Sequence, residues 1–280
     1  MDSAASAYTK VNLAETVLGV PDQSWIGSYR EDHDEIESTQ PRAVELLREG
    51  KLGAIVVAKK QTAGLGRMGK SFYSARELGL YVSITLPAPP DLSKLSLVSL
   101  WAGIALLRTV REGGIILSMV PINLTKRLSL KWPNDLLLDG KKLAGILTTS
   151  VVAGSQPMGV VLGIGININH VRKDFPLDIR DKAISLRVAT GKKWELEDFL
   201  THLTEVLEKM WHYLKEPQDQ LLAEWLRWGP PIDTPLSVTE NETVYNGTFA
   251  GLTTSGELVL QLPDGTKRTF LSGIVEHLSI

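Results

Sequence analysis

Residues 64 to 71 read G-L-G-R-M-G-K-S, a glycine- and cation-rich run whose spacing satisfies two phosphate-binding formulas at once. As Gly64-x4-Gly69-Lys70-Ser71 it is a nucleotide P-loop, in which backbone amides cradle phosphates, Lys70 neutralises them and Ser71 reaches a magnesium ion. As Gly64-x-Gly66-x-x-Gly69 it is a dinucleotide fingerprint. Each formula needs a helix directly after the glycines, because the helix N-terminus supplies the amides and dipole that hold an anion. Phe72 to Leu78 leaves little room for that helix before an apolar run opens at Gly79. The dinucleotide reading also needs an acidic residue at the end of the next strand, and Asp91 lies beyond Pro87, Pro89 and Pro90. A magnesium-binding strand end at Leu136-Leu137-Leu138-Asp139 would favour the P-loop, but Asp139-Gly140 is better explained as a hairpin turn. On spacing alone, a flexible glycine loop competes with both formulas.

Other stretches carry more chemistry. Ser38-Thr39-Gln40, Gln61-Thr62-Ala63-Gly64-Leu65-Gly66-Arg67-Met68-Gly69, Lys131-Trp132-Pro133-Asn134-Asp135 followed by Lys141-Lys142-Leu143-Ala144-Gly145-Ile146-Leu147, and Gly163-Ile164-Gly165-Ile166-Asn167-Ile168-Asn169 occur in that order. In order and character they resemble the biotin protein ligases: a Ser-Thr-Asn motif, a glycine- and arginine-rich biotin loop, K-W-P-N-D with K-L-A-G-I-L, and a G-I-G-I-N-x-N strand. The resemblance covers roughly residues 33 to 280, including a G-x-F-x-G-L-x-x-x-G-x-L pattern from Gly247 to Leu258.

The resemblance implies a two-step reaction. Biotin's carboxylate attacks the α-phosphate of ATP, and a lysine of a biotin carboxyl carrier protein domain, of the acetyl-CoA carboxylase type, then attacks the acyl adenylate. Magnesium accompanies the ATP, and no metal-ligand set can be read. Such chemistry gains mainly from positioning and cationic stabilisation, and the resemblance assigns it to Lys142 and Arg67. It assigns biotin to Ser38, Thr39 and Gln61 around the ureido ring, to Gly64, Leu65, Gly66 and Arg67 on the loop, to Lys142, and to Gly163 and Gly165 on an open strand. Phe72, Trp132, Asn134, Asp135 and Asn167 fall to the ATP side, Phe72 standing where the family has a tryptophan. Leu65 replaces a residue usually basic in the family, which implies looser retention of the adenylate. Thr148-Thr149 replaces an acidic residue.

Plainer readings stand beside these. Ser38 or Thr39 can cap a helix before Pro41, Gly163 and Gly165 can mark a strand bulge, Trp132 can be core, and Lys142 and Arg67 can be ordinary surface cations. Three other functions compete: a P-loop ATPase or switch, a biotin-binding module without activity, and a lipoate or octanoate ligase or transferase of related fold. K-W-P-N-D argues against the last.

The elements that must position these residues alternate in type. Asp34 to Glu37 reads as a strand edge, Pro41 to Gly50 as a helix with a glycine stop, and A-I-V-V-A and L-Y-V-S-I-T-L as strands. Leu97 to Gly114 reads as a buried helix ending on its glycines. S-L-K-W, D-L-L-L, K-L-A-G-I-L-T-T-S-V-V and M-G-V-V-L-G-I-G-I-N-I follow as strands. Glu195 to Glu216 and Gln218 to Trp228 have amphipathic helical spacing. After Pro235 come short β runs broken at Asn246-Gly247, Ser255-Gly256 and Asp264-Gly265. The expected fold is α+β: a mixed β-sheet packed with helices, like the class II synthetase-type catalytic domain of the biotin and lipoate ligases, then a small SH3-like β-barrel. The expected division is a lead-in over 1–32, a catalytic domain over 33–232 and the barrel over 233–280.

Composition sets the class. A chain of 280 residues, 43% hydrophobic and 22% charged, supports a sizeable core. With 30 basic against 32 acidic residues, no general attraction to nucleic acid or to an anionic membrane is expected. The absence of cysteine excludes disulfides and thiolate chemistry. The first residues carry neither a basic nor an apolar leader segment, and no apolar run reaches the roughly 18 residues of a membrane span. The expectation is a cytoplasmic monomer or homodimer that does not bind DNA, the first 32 residues being too few for a DNA-binding domain.

Overall fold

The computed structural model describes residues 24–89, 94–116, 124–154, 156–214 and 218–278. Asp91, Glu216, the N-terminal residues read for a leader and most of the 1–32 lead-in lie outside the described residues.

A seven-stranded sheet forms the body, in the order β1 (Tyr29–His33), β2 (Ala54–Ala58), β3 (Gly79–Leu86), β7 (Gln156–Asn167), β6 (Lys141–Ala153), β5 (Asp135–Leu138), β4 (Leu128–Lys131). Only β1 and β2 are parallel, and α1 (Thr39–Arg48) is the crossover that a parallel pair requires. The remaining neighbours pair antiparallel, with β5 and β6 joined at Asp139-Gly140, where both residues have positive φ. This is the turn expected for that dipeptide.

Period-two alternation divides the sheet into two faces. Leu80, Val82 and Ile84 of β3, Ala144 and Ile146 of β6 and Leu162, Ile164 and Ile166 of β7 enter the main core against α2 (Leu95–Ile116) and α4 (Leu196–Lys209). The alternate residues belong to the opposite face. There Val161 and Val151 pack with Ala43, Leu46 and Leu47 of α1 in a smaller core. Because α1 covers only part of that face, Ser83, Gly145, Gly163 and Gly165 lie beyond its N-terminus in a cleft.

After α3 (Leu186–Thr190), α4 and α5 (Asp219–Trp228), the chain makes a five-stranded antiparallel, barrel-like sheet ordered β11 (Lys267–Phe270), β10 (Leu258–Gln261), β9 (Thr243–Leu252), β8 (Pro235–Glu240), β12 (Ile274–His277). Its Leu236, Val238, Phe249, Leu258, Leu260 and Phe270 continue the main core. The mixed sheet with helices followed by a small β-domain is the architecture expected.

Several boundaries differ from the sequence reading. The first strand is Tyr29–His33 rather than Asp34 to Glu37, and Trp25 and Ile26 already lie in the main core, so the sheet begins inside the expected lead-in. Helix α2 passes through Gly113 and Gly114 to Ile116. Gly113 lacks the left-handed conformation of a helix-ending glycine, and it lies where α2 meets His202 of α4. Strand β9 runs unbroken through Asn246-Gly247, because Gly247 permits close approach to the Gln261 carbonyl. The hairpin turn falls instead at Asn241 and Glu242, with φ 47° and 67°. Helix α4 ends at Lys209.

His170, directly after β7, is fully buried and stacked on Phe175 with ring centroids 4.7 Å apart. Neither ring nitrogen has a hydrogen-bond partner among the described residues. Burial pushes its pKa down to about 4, against a smaller opposing effect of Asp174. The folded state therefore holds the neutral ring where the unfolded chain takes up a proton, so this contribution is complete above about pH 6.5 and is lost as pH falls towards 4. Urea titrations across that range should show a loss on the order of 3 kcal/mol, flattened in His170→Phe.

Candidate functional site

The cleft is built at the N-terminus of α1 over the glycine-bearing face of β6 and β7. Ser38 caps the helix, its Oγ accepting from the Gln40 N–H at 3.4 Å. The Thr39 backbone N–H donates to Gln61 Oε1 at 2.9 Å, and Gln61 Nε2 donates to Ser74 Oγ at 2.8 Å. Thr39 Oγ1 lies 2.8 Å from Ser83 Oγ, which in turn donates to Gln40 Oε1 at 2.9 Å. Gln40 Nε2 donates to Thr149 Oγ1 at 3.0 Å and to the Val161 carbonyl at 3.1 Å. The buried polar residues of this corner thus form one satisfied chain.

Across the cleft stand the charges. Lys142 Nζ is 2.6 Å from Asp135 Oδ1. The backbone of Lys142 is fixed on both sides: its N–H donates to the Lys182 carbonyl, and its carbonyl accepts from the Ile184 N–H and from Asn167 Nδ2. Arg67 reaches Asn134 Oδ1 only at 3.5 Å, and Asn134 Nδ2 donates to the Ile146 carbonyl. Burial lowers the pKa of Arg67, while the nearby Asp135 carboxylate acts in the opposite direction. A guanidinium stays protonated regardless, so two cations face one carboxylate, leaving room for an anion.

The glycine loop is a closed hairpin. The Phe72 N–H donates to the Gly64 carbonyl and the Gly66 N–H to the Lys70 carbonyl, so the Gly66 amide is already spent. Arg67–Gly69 is a single 3-10 turn, no helix follows, and Lys70 and Ser71 are exposed. Neither the P-loop nor the dinucleotide geometry forms. Gly64 is buried where any side chain would collide with the Phe72 carbonyl, whereas Leu65 is 48% exposed at the cleft rim.

Ser38, Thr39, Gln61, Leu65, Gly66, Arg67, Phe72, Asn134, Lys142, Gly163 and Gly165, widely separated in sequence, therefore line one cleft. Gly64, Trp132 and Asn167 do not. Trp132 is buried with its Nε1–H donating to the Gly256 carbonyl at 3.0 Å, tying the K-W-P-N-D turn to the C-terminal sheet. Asn167 braces Lys142 from behind. Asp135 reaches the cleft through its ion pair. The strand glycines accommodate protein side chains: a Cβ at 163 would meet Gln40 Oε1, and one at 165 the Phe72 ring. Gln40, Ser83, Ser74 and Thr149 were not expected from sequence, although Gln40 sits within the Ser-Thr-Gln motif.

The cleft opens to solvent, and Phe72 and the glycine loop form part of its lining. A neutral polar edge beside a glycine floor, with paired cations opposite, suits a ligand that is polar and uncharged at one end and anionic at the other. The Biotin/lipoate A/B protein ligase family profile matches residues 34–167, and the Biotin protein ligase C terminal domain profile matches residues 237–278. The Bifunctional ligase/repressor BirA of Bacillus subtilis (strain 168) is 31% identical over 86% of this chain and 72% of its own length. The Biotin--[acetyl-CoA-carboxylase] ligase of Paracoccus denitrificans is 30% identical over 82% of this chain and 92% of its own. In fold, the biotin protein ligase from Aquifex aeolicus, solved in complex with biotin and ATP, superposes with a TM-score of 0.72 at 24% identity, over 90% of this chain and 100% of that one. The chain belongs to the biotin/lipoate protein ligase family, and within it to the biotin protein ligases.

No helix among the described residues is long and apolar enough to cross a membrane.

Proposed function

We propose that this protein activates biotin with ATP and passes the biotinyl group to a lysine of a biotin carboxyl carrier protein. The observation that carries the reading is the convergence of Ser38, Thr39 and Gln61, the glycine floor, and Lys142 with Arg67 on one cleft. In the first step a biotin carboxylate oxygen bonds to the α-phosphorus while the α–β bridging bond breaks and pyrophosphate leaves. In the second, the carrier amine bonds to the acyl carbon, AMP leaves, and the amine loses a proton. Lys142 and Arg67 stabilise the anionic transition states. Asp135 holds Lys142 in place beforehand and is the carboxylate available to a magnesium ion or to the incoming amine. Phe72 is placed to cover the adenine.

No group of three or more His, Asp or Glu side chains among the described residues could hold a metal ion. Magnesium that arrives on the ATP phosphates needs one or two protein carboxylates at most.

The test is exchange of labelled pyrophosphate into ATP. It is expected only when biotin and magnesium are both present, followed by labelling of an added carrier domain. Exchange that ignores biotin, or ATP hydrolysis without it, defeats the reading.

A further inference from the structure

On the helical side of the sheet, away from the cleft, α2 and α5 leave an open trough of about 590 Å³ between them. One wall is Gln220, Ala223, Glu224 and Arg227 of α5. Their i, i+3, i+4, i+7 spacing is one face of a helix, so the trough follows α5 for about 10 Å. Arg108, Arg111 and Glu112 of α2 stand opposite.

The charges in the trough are unevenly committed. Arg108 makes a fork with Glu224, Nε donating to Oε1 at 2.8 Å and Nη2 to Oε2 at 2.5 Å, which ties the two helices together. Glu112 lies 4.0 Å from His202 Nε2 on α4. Arg111 and Arg227 pair with no carboxylate among the described residues. Arg111 meets the face of Trp228, its guanidinium carbon 5.9 Å from the ring centroid, and Arg227 is exposed. Two uncommitted guanidinium groups beside an indole suit carboxylates carried on partly apolar side chains.

The lining decides what carries those carboxylates. A small molecule needs mostly apolar walls to bury it, and this lining is mainly polar. A nucleic acid needs a continuous basic stripe, whereas Glu112 and Glu224 interrupt the trough and the chain as a whole carries a net charge of -2. A peptide satisfies both signs: its acidic side chains meet the guanidinium groups, and its backbone N–H groups find acceptors in Gln220 and in the remaining lone pairs of Glu224.

We propose that the trough between α2 and α5 is a docking site for an acidic peptide segment of a partner protein, with Arg111 and Arg227 as its carboxylate anchors and Trp228 as its apolar wall. Because α2 packs on the face of the sheet opposite the cleft, the segment binds without obstructing Lys142 or Arg67. The proposal goes beyond the ligase reading and does not depend on it.

The experiment is fluorescence anisotropy of a labelled peptide of alternating glutamate and serine, titrated with the full chain at about physiological salt, where attraction between exposed charges is screened beyond about 8 Å. Saturable binding is expected for this peptide and not for a copy with glutamine in place of glutamate. Arg111→Gln and Arg227→Gln should each weaken it by about tenfold, the scale of one charge-assisted hydrogen bond, with the urea unfolding midpoint little changed. Arg48→Gln removes an exposed arginine of α1 and should leave the Kd unchanged, which separates a site from net charge. Biotin and ATP should not displace the peptide, since the cleft cations lie on the other face. Peptide binding that survives both trough substitutions, falls equally with Arg48→Gln, or is displaced by biotin with ATP would overturn the proposal. So would the absence of saturable binding, or tighter binding of a single-stranded oligonucleotide than of the peptide.

Discussion

Lys142→Ala is expected to slow biotin-dependent pyrophosphate exchange by about 100-fold or more, the usual effect of removing one preorganised donor from a transition state. The side chain is placed for that role: its backbone is hydrogen-bonded to Lys182 and Ile184 on one side and to Asn167 on another, and Nζ is held by Asp135 at 2.6 Å. Truncation also strands the Asp135 carboxylate, whose side chain is only 18% exposed, so part of the loss will register as reduced stability. Single-turnover adenylation measured beside urea unfolding separates the two. Lys142→Met/Asp135→Asn removes the stranded charge and should recover stability without recovering rate. Ser71→Ala is the counterweight. Ser71 is exposed and, among the described residues, takes part only in the short bridge to Leu65, and an exposed substitution of this kind should leave the rate within about twofold. The reverse ranking would return the glycine stretch to the P-loop reading.

The central strands β3, β6 and β7 were legible because each is long and apolar on at least one face, and the Asp139-Gly140 turn because its dipeptide favours positive φ at both positions. The errors have common causes. In sequence Gly113 and Gly247 read as punctuation, but a glycine also serves where two elements approach closely, and sequence does not distinguish the uses. Tyr29–His33 was missed because its residues alternate among charged and polar types on an edge strand, with no apolar signal to mark it. In the cleft, the residues found were those carried by distinctive multi-residue motifs. Ser83 and Thr149 escaped because one hydroxyl in an apolar strand has no local signature; their importance appears only once β3, β6 and α1 are side by side. Trp132 and Asn167 carry strong motif signals yet brace the site from behind, since a motif records constraint without saying whether ligand or scaffold imposes it.

Gly163 and Gly165 stand two residues apart on the same face of β7, and alanine at each should give opposite results. A Cβ at 163 would lie inside 3.0 Å of Gln40 Oε1. Gln40 cannot easily yield, because its amide is tied to Ser83, Thr149 and Val161 in a buried corner. Moving it breaks the chain that reaches Thr39, so Gly163→Ala should cost about 2 to 4 kcal/mol from overpacking and stranded polar groups and abolish measurable biotin binding. At 165 the obstruction is the Phe72 ring, 2.5 Å from the added Cβ. That ring is partly exposed on the rim loop and can swing outward. Gly165→Ala should therefore stay within about 1 kcal/mol of wild-type stability. Its effect belongs to the nucleotide: lifting the ring off its seat should raise the KM for ATP by up to about tenfold, the scale of one aromatic contact, with biotin affinity little changed. Because both changes act on one contact, adding Gly165→Ala to Phe72→Ala should raise that KM no further. If Gly165→Ala destabilised the protein as much as Gly163→Ala, the Phe72 ring would be a fixed part of the core and not a movable cover for the nucleotide.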